Sequence, residues 1–327
     1  MVLEDNDLVS VVIPTYKRAE KLSRAINSVL DQTYKKIEVI VVDDNSDSDE
    51  YRRDTELLMI NFSTNPRVIY LKHSINRNGS AARNTGIKYS KAKYIAFLDD
   101  DDYFLNTKIE KQVALLEQHL DTKFGGVCCN RIAMYNDYIY DKNDIKINID
   151  GNYVDTLLNK ENFLAAGSTL IVRRSVFDKI GYFDETFKRH QDYEFLIRFF
   201  REFKMLILSE NLACICVDGA RNYPNAALFH SIKLNFFEKF DIDIMKLSIE
   251  KRKKIYYNQW SEVFLYYLVE YNFAKAKEIY FNKMEIHKSN NNLLFIIKCI
   301  YLIVERKILF LQALKYKIFS LKYILKK

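Results

Sequence analysis

The chain has 327 residues, 49% hydrophobic and 28% charged, a balance that fits a globular protein of one large domain, or one domain with an extension, and excludes a disordered one. The net charge of +7 is uneven: residues 231–327 carry 19 Lys+Arg against 9 Asp+Glu, and the remainder carries 31 against 34. A weakly acidic body therefore precedes a basic, aromatic-rich tail, with no internal repeat and no low-complexity linker between them.

Residues Val9 to Pro14 read as a buried strand stopped by proline. Lys21 to Asp31 follows with apolar residues at Leu22, Ala25, Ile26, Val29 and Leu30, a helical spacing. Ile37 to Val42 is a second buried strand, ending in Asp43-Asp44-Asn45-Ser46, and Val68 to Leu71 a third. His73 to Gly79 is a loop by composition, and Gly79 to Tyr89 a helix opened by Ser80. Tyr94 to Leu98 is a fourth strand. This strand–helix alternation predicts a parallel sheet covered by helices. Further on, Thr107 to Leu120 reads as a helix capped by Thr107, Gly126 to Ile132 and Ser168 to Val172 as strands, and Ser175 to Ile180 as a helix stopped by Gly181. Residues 134–166 read as irregular, polar loops on the acceptor side. Arg189 to Arg198 is helical, with Asp192 near its N-terminal end.

The fourth strand runs directly into Asp99-Asp100-Asp101-Asp102. Four carboxylates cannot continue a strand in a core, because unpaired buried charge is too costly. The strand must end at a surface or cleft, at the sheet edge where open α/β folds bind ligands. Asp99 and Asp101, one residue apart, can offer oxygens to one hard divalent cation; the competing reading is a solvated acidic turn. A carboxylate at Asp192 is stabilised by the helix dipole and stays ionised, which suits a base and equally suits an ordinary cap.

Several chemistries drop out. The first strand–helix turn, Pro14 to Ala19, contains no glycine, so the dinucleotide fingerprint and the Walker-type phosphate loop are both missing. There is no G-x-S-x-G elbow and no paired-His zinc motif. The cysteines, Cys128, Cys129, Cys214, Cys216 and Cys299, are odd in number and lack zinc or redox spacing. With no apolar signal core at the N-terminus, they point to a reducing, cytoplasmic compartment.

The tail is helical in character from Phe236. Lys251-Arg252-Lys253-Lys254 precedes Ile255-Tyr256-Tyr257 and Trp260, a combination suited to a membrane interface. Leu293 to Val304 is too short for a span, and Ile308 to Lys327 mixes apolar residues with lysines as a basic amphipathic helix does. The tail therefore suits an anionic membrane surface; the alternatives are packing on the body or an oligomer contact. A nucleic-acid-binding tail is the rival from another class, but no recognised nucleic-acid motif accompanies the charge, and no nucleic-acid partner is expected.

The motifs, taken together, resemble the family 2 inverting glycosyltransferases of the GT-A fold. They are Val9-Ser10-Val11-Val12-Ile13-Pro14-Thr15-Tyr16, Val41-Val42-Asp43-Asp44-Asn45-Ser46, Gly79 to Ile87, Tyr94 to Asp102, Gly181-Tyr182-Phe183-Asp184-Glu185, and Gln191-Asp192-Tyr193 ahead of Arg198. They stand in the family's order over residues 8–220. The resemblance implies an α/β, Rossmann-like GT-A catalytic domain with a mainly parallel central sheet at residues 1–225, its nucleotide-sugar half at about 1–102 and its acceptor half at about 103–225. A basic helical C-terminal region would occupy 226–327. It implies that Pro14 and Tyr16 line a base pocket and that Asp44 bonds the uracil edge, with Asp43 beside it. Arg83 would lie near the ribose or pyrophosphate, and Asp99 and Asp100 would belong to the nucleotide-sugar set. Asp101 and Asp99 would be the metal-binding D-x-D for Mn²⁺ or Mg²⁺, and Asp192 the catalytic base. Gln191 departs from the family, which usually has Glu there; losing that neighbouring charge is expected to lower the pKa of Asp192 slightly.

The implied activity is metal-dependent, inverting transfer from a nucleotide diphosphate sugar, foremost a UDP-sugar, to a hydroxyl of a bacterial surface glycan, such as a capsule, lipopolysaccharide or teichoic-type chain, free or lipid-linked. The chain would work in the cytoplasm, peripheral on the inner face of the membrane. Transfer to a polyprenyl phosphate and an inactive glycosyltransferase-like scaffold are the alternatives.

Overall fold

The computed structural model describes residues 7–119, 121–135, 138–142, 153–159, 167–216 and 224–284. The chain divides into two compact units, residues 1–222 and 223–327.

Among the described residues, the first unit is built on nine strands. In chain order its elements are β1 (Val9–Thr15), α1 (Ala19–Leu30), β2 (Ile37–Asp43), α2 (Glu50–Ile60), β3 (Val68–Lys72), α3 (Gly79–Tyr89), β4 (Tyr94–Phe97), β5 (Tyr103–Phe104) and α4 (Lys108–Gln118). They continue with β6 (Phe124–Tyr135), β7 (Tyr138–Lys142), α5 (Val154–Leu158), β8 (Leu170–Arg173), α6 (Arg174–Ile180), α7 (Gln191–Glu202) and β9 (Lys204–Cys216). The sheet order is β3-β2-β1-β4-β8-β6-β9-β5, with β7 on β6. The predicted alternation gives the parallel half, β3-β2-β1-β4. Beyond it β8 enters antiparallel between β4 and β6, and β6 pairs parallel with β9, so the whole sheet is mixed.

β1 and β2 are buried along almost their whole length because helices cover both faces. α1 buries Leu22, Ala25, Ile26 and Val29, the stripe its spacing predicts. α3 packs closer to the sheet because its inner face is Ala81, Ala82 and Gly86. A Cβ on Gly86 would stand 2.4 Å from Cγ1 of Val12. Gly86→Ala is therefore expected to cost about 1–3 kcal/mol through overpacking, read as a lower denaturation midpoint with an unchanged slope.

Three local expectations change. Asn78, at φ 81°, caps α3 by accepting from the amides of Ser80 and Ala81, so Ser80 is the second helical residue and not the cap. Thr107 precedes α4 without a side-chain capping bond. Within the stretch read as irregular, β6 runs on to Tyr135, β7 pairs back on it from Tyr135 opposite Tyr138 to Ile132 opposite Lys142, and α5 forms at Val154–Leu158; a register shift between Ala133 and Met134 breaks the alternation that would mark the pair in the sequence.

The described part of the second unit is α8 (Ala226–Met245), α9 (Ile249–Val269), α10 (Phe273–Ile279) and a π-helical turn at Tyr280–Met284. Asn225, Ser248 and Asn272 cap the three helices. Trp260 is buried in this unit's core with Phe229, Val263 and Tyr267, its ring 5.1 Å from that of Phe237. It is therefore not the exposed interfacial ring that the sequence suggests. Lys251, Lys253 and Lys254 are exposed. The stretches Leu293 to Val304 and Ile308 to Lys327, and Cys299, lie outside the described residues. Among the described residues no helix is long and apolar enough to cross a membrane.

Candidate active site

The four acids after β4 form a turn closed by the Asp102 amide on the Asp99 carbonyl at 3.0 Å, and their side chains alternate in burial. The side chains of Asp99 and Asp101 are 40% and 22% exposed, whereas Asp100 and Asp102 are buried. Asp102 is an anchor. It accepts from Ser168 Oγ at 2.5 Å and from the Cys216 amide at 2.9 Å, tying the end of β4 to the start of β8 and the end of β9. Burial pushes its carboxyl well above the usual range. Asp100 accepts from Thr15 Oγ1 at 2.8 Å and the Tyr16 amide at 3.4 Å, and Arg18 Nε lies 3.1 Å away. Burial moves it up to about 7, against the pull of Arg18. Asp100 thus fixes the end of β1, where Pro14 is half-buried and paired with Val42, and the turn after it, where Tyr16 is exposed with Lys17 Nζ 5.2 Å from its ring centre. Asp101 pairs with Arg18; burial raises its carboxyl and Arg18 counters.

Asp43 and Asp44 turn inward from the end of β2. Asp43 accepts from Tyr70 Oη at 2.6 Å and from both nitrogens of Asn45, and pairs with buried Arg52 at 3.1 Å. Burial still leaves its carboxyl above the usual range. Asp44 organises the 73–78 loop. Its Oδ1 bonds His73 Nδ1 at 2.7 Å and the Arg77 amide at 2.8 Å, and its Oδ2 accepts from Asn76 Nδ2 and the Asn78 amide, each at 2.8 Å. Both oxygens are thus engaged by the protein, and Asp44 holds the 73–78 loop in place.

Arg83, Asp99 and Asp192 line one cleft of about 340 Å³. Its apolar floor is Phe97, Leu170, Phe183 and Phe195, with Phe183 stacked on Phe195 at 4.7 Å and edge-on to Phe97 at 5.3 Å. Arg83 donates to Asp99 Oδ1 at 2.5 Å and to the Gly79 carbonyl at 3.2 Å. Asp99 Oδ2 faces Gly167, which holds φ +81° and whose added Cβ would sit 3.6 Å from that oxygen. Asp192 is the second residue of α7, which starts from His190 at φ 59°. Burial raises the Asp192 carboxyl above the usual range; the Tyr193 amide, Arg83 and its own amide pull it down. Burial thus outweighs the helix-end amides and Arg83.

The motifs on either side lock this geometry. Asn84 of α3 exchanges bonds of 2.9 Å with the carbonyl and amide of Phe183, and Ser80 donates to the Phe187 carbonyl. Arg198 of α7 binds Glu194 and reaches the carbonyls of Ile180 and Tyr182. The segment 181–190 is thereby clamped between α3 and α7, which sets Asp192 across from Arg83. The cleft also takes in Gly167, Lys188, Arg189, His190 and Gln191, which the motif reading left unassigned. The glycine at 167 and the basic pair Lys188-Arg189 ahead of Gln191-Asp192 were the signals present in the sequence.

The sequence profile described as "Glycosyl transferase family 2" matches residues 10–181, just over half of the chain. An uncharacterized glycosyltransferase of Rickettsia prowazekii is 35% identical over 204 residues, covering 59% of each chain, so this chain spans about 59% of that relative's length. The Escherichia coli UDP-Glc:alpha-D-GlcNAc-diphosphoundecaprenol beta-1,3-glucosyltransferase WfaP is 38% identical over 111 residues, 34% of this chain and 42% of that one. Among solved structures, S. aureus TarS 1-349 in complex with UDP-GlcNAc superposes with a TM-score of 0.56 at 17% identity, over 84% of this chain and 89% of that chain. At that identity the likeness concerns the fold.

Proposed function

The chain belongs to glycosyl transferase family 2, and we propose that it is a metal-dependent, inverting enzyme that takes a sugar from a UDP-sugar to a hydroxyl of a bacterial surface glycan. The observation that carries this reading is the cleft that joins Arg83 and Asp99, on the side of the Asp99–Asp102 turn, to Asp192 on α7. Sugar transfer needs a diphosphate site and one base on opposite sides of the anomeric carbon. Asp192 takes the proton from the acceptor hydroxyl. That oxygen attacks the anomeric carbon, the bond to the diphosphate oxygen breaks with its electron pair leaving on UDP, and the configuration inverts. No protein nucleophile is needed, unlike the retaining two-carboxylate scheme.

Asp99 and Asp101 would hold Mn²⁺ or Mg²⁺. Both are partly exposed oxygen donors, each paired with an arginine, and Asp99 Oδ2 faces the open space that Gly167 leaves. No group of three ligating residues gathers among the described residues, so the remaining ligands would be phosphate oxygens and water, as Mg²⁺-type sites use. Such a cation supplies Lewis-acid stabilisation of the departing diphosphate. Tyr16 and Pro14 would offer one face to the base, with the loop held by Asp44 closing its edge. The bacterial lipid-linked acceptor named for WfaP is one model for the acceptor class. The excess of cations after Ser231 and the exposed Lys251, Lys253 and Lys254 support a cytoplasmic enzyme peripheral on the anionic inner face of the membrane.

The test is a panel of UDP-α-sugars with lipid-linked and free glycan acceptors in Mn²⁺. A β-linked product is expected; an α-linked product would overturn the single-base mechanism. Asp192 must be ionised to act, and its carboxyl is raised, so kcat/KM is expected to rise with pH through an acid limb lying above the ordinary aspartate value of 3.8. A limb that persists unchanged in Asp192→Asn would assign it to another group.

A further inference from the structure

The cleft has one wall to which the mechanism gives no task. Lys188 and Arg189 line it immediately before the His190 turn that leads into Asp192. Lys188 is exposed and Arg189 half-buried, and among the described residues neither has a hydrogen-bond or ion-pair partner. The other arginines near the site are engaged: Arg18 by Asp100 and Asp101, Arg77 by Glu185, Arg83 by Asp99, and Arg198 by Glu194. A guanidinium held partly out of water without an anion is unfavourable, and its planar fork matches the oxygens of a phosphate.

The position of the pair says which substrate would bring that anion. The donor diphosphate is assigned to the Asp99–Asp101 side, where Arg83 already supplies a cation. Asp192, as the base, meets the attacking hydroxyl, so the residues that lead into it border the acceptor. We propose that Lys188 and Arg189 form an anion subsite for the acceptor, taking a phosphate or diphosphate group attached close to the sugar whose hydroxyl is activated. This rests on the transferase reading above and narrows the acceptor to a phosphate-linked glycan, as against a neutral one.

The experiment is calorimetric titration of hexyl diphosphate into the full chain saturated with UDP and Mn²⁺. Binding is expected with UDP in place, weakened about tenfold or more in Arg189→Gln and in Lys188→Gln, while both variants keep wild-type UDP affinity and melting temperature. Hexanol, the neutral control, is expected not to distinguish them. Binding of hexyl diphosphate only when UDP is absent would give the subsite to the donor and overturn the proposal. So would equal binding by wild type and both variants, or no binding to the UDP-loaded protein. Failure of the wild type to bind UDP at all would instead remove the transferase reading, and the subsite with it.

Discussion

Replacing Asp192 with Asn is expected to lower kcat by about 10²–10⁴-fold while leaving UDP affinity close to wild type. The substitution keeps the shape and removes the proton acceptor. Asp192 sits at the start of α7 in a cleft floored by Phe97, Leu170, Phe183 and Phe195, and burial there raises its carboxyl. A raised carboxylate is a stronger base than a solvated one, so the loss should be large. It should also fall on kcat and kcat/KM together, because the interaction exists only as the hydroxyl loses its proton. Steady-state kinetics with a fixed UDP-sugar decide the matter. A variant whose kcat stays within a few-fold of wild type would make Asp192 an ordinary first-turn residue.

The second large effect is expected at Asp101. Asp101→Ala should reduce turnover by at least about 10²-fold, because several kcal/mol of charge stabilisation on the leaving diphosphate depend on the cation it would hold. EDTA should reproduce the loss in wild type, and Mn²⁺ should restore wild type but not the variant. Arg18, which pairs with both Asp100 and Asp101, gives a control. If Asp101 served only as a partner for Arg18, then Arg18→Gln and Asp101→Ala would have equal effects and EDTA would do nothing.

Much of the half built from β1, β2, β3 and β4 was legible because it rests on local signals. β1, β2 and β4 are short apolar runs that end in polar or acidic residues, and α1 shows its buried stripe at helical spacing. The motif order places Asp99 and Asp192 in a common family frame, and the cleft that they line follows from that order. What the sequence left open depends on distant parts of the chain. The insertion of β8 between β4 and β6 is set by long-range pairing, with no periodic trace. The division of the four acids into two exposed and two buried needs Thr15, Ser168 and the Cys216 amide, which come from β1, from beside β8 and from the end of β9. Asp44 looks like a free acid after a strand, yet the 73–78 loop surrounds it with donors. Trp260 beside a basic run looks interfacial until Phe229, Phe237 and Tyr267 close around it.

The most direct test is calorimetric titration of UDP, GDP, CDP and dTDP into wild-type protein, in Mn²⁺ and again in EDTA. UDP is expected to bind in Mn²⁺ and the other nucleotides at least about tenfold more weakly, and EDTA is expected to abolish the UDP signal. If no nucleoside diphosphate binds with the metal present, the cleft is not a nucleotide-sugar site, and the chain carries the family's fold without its activity.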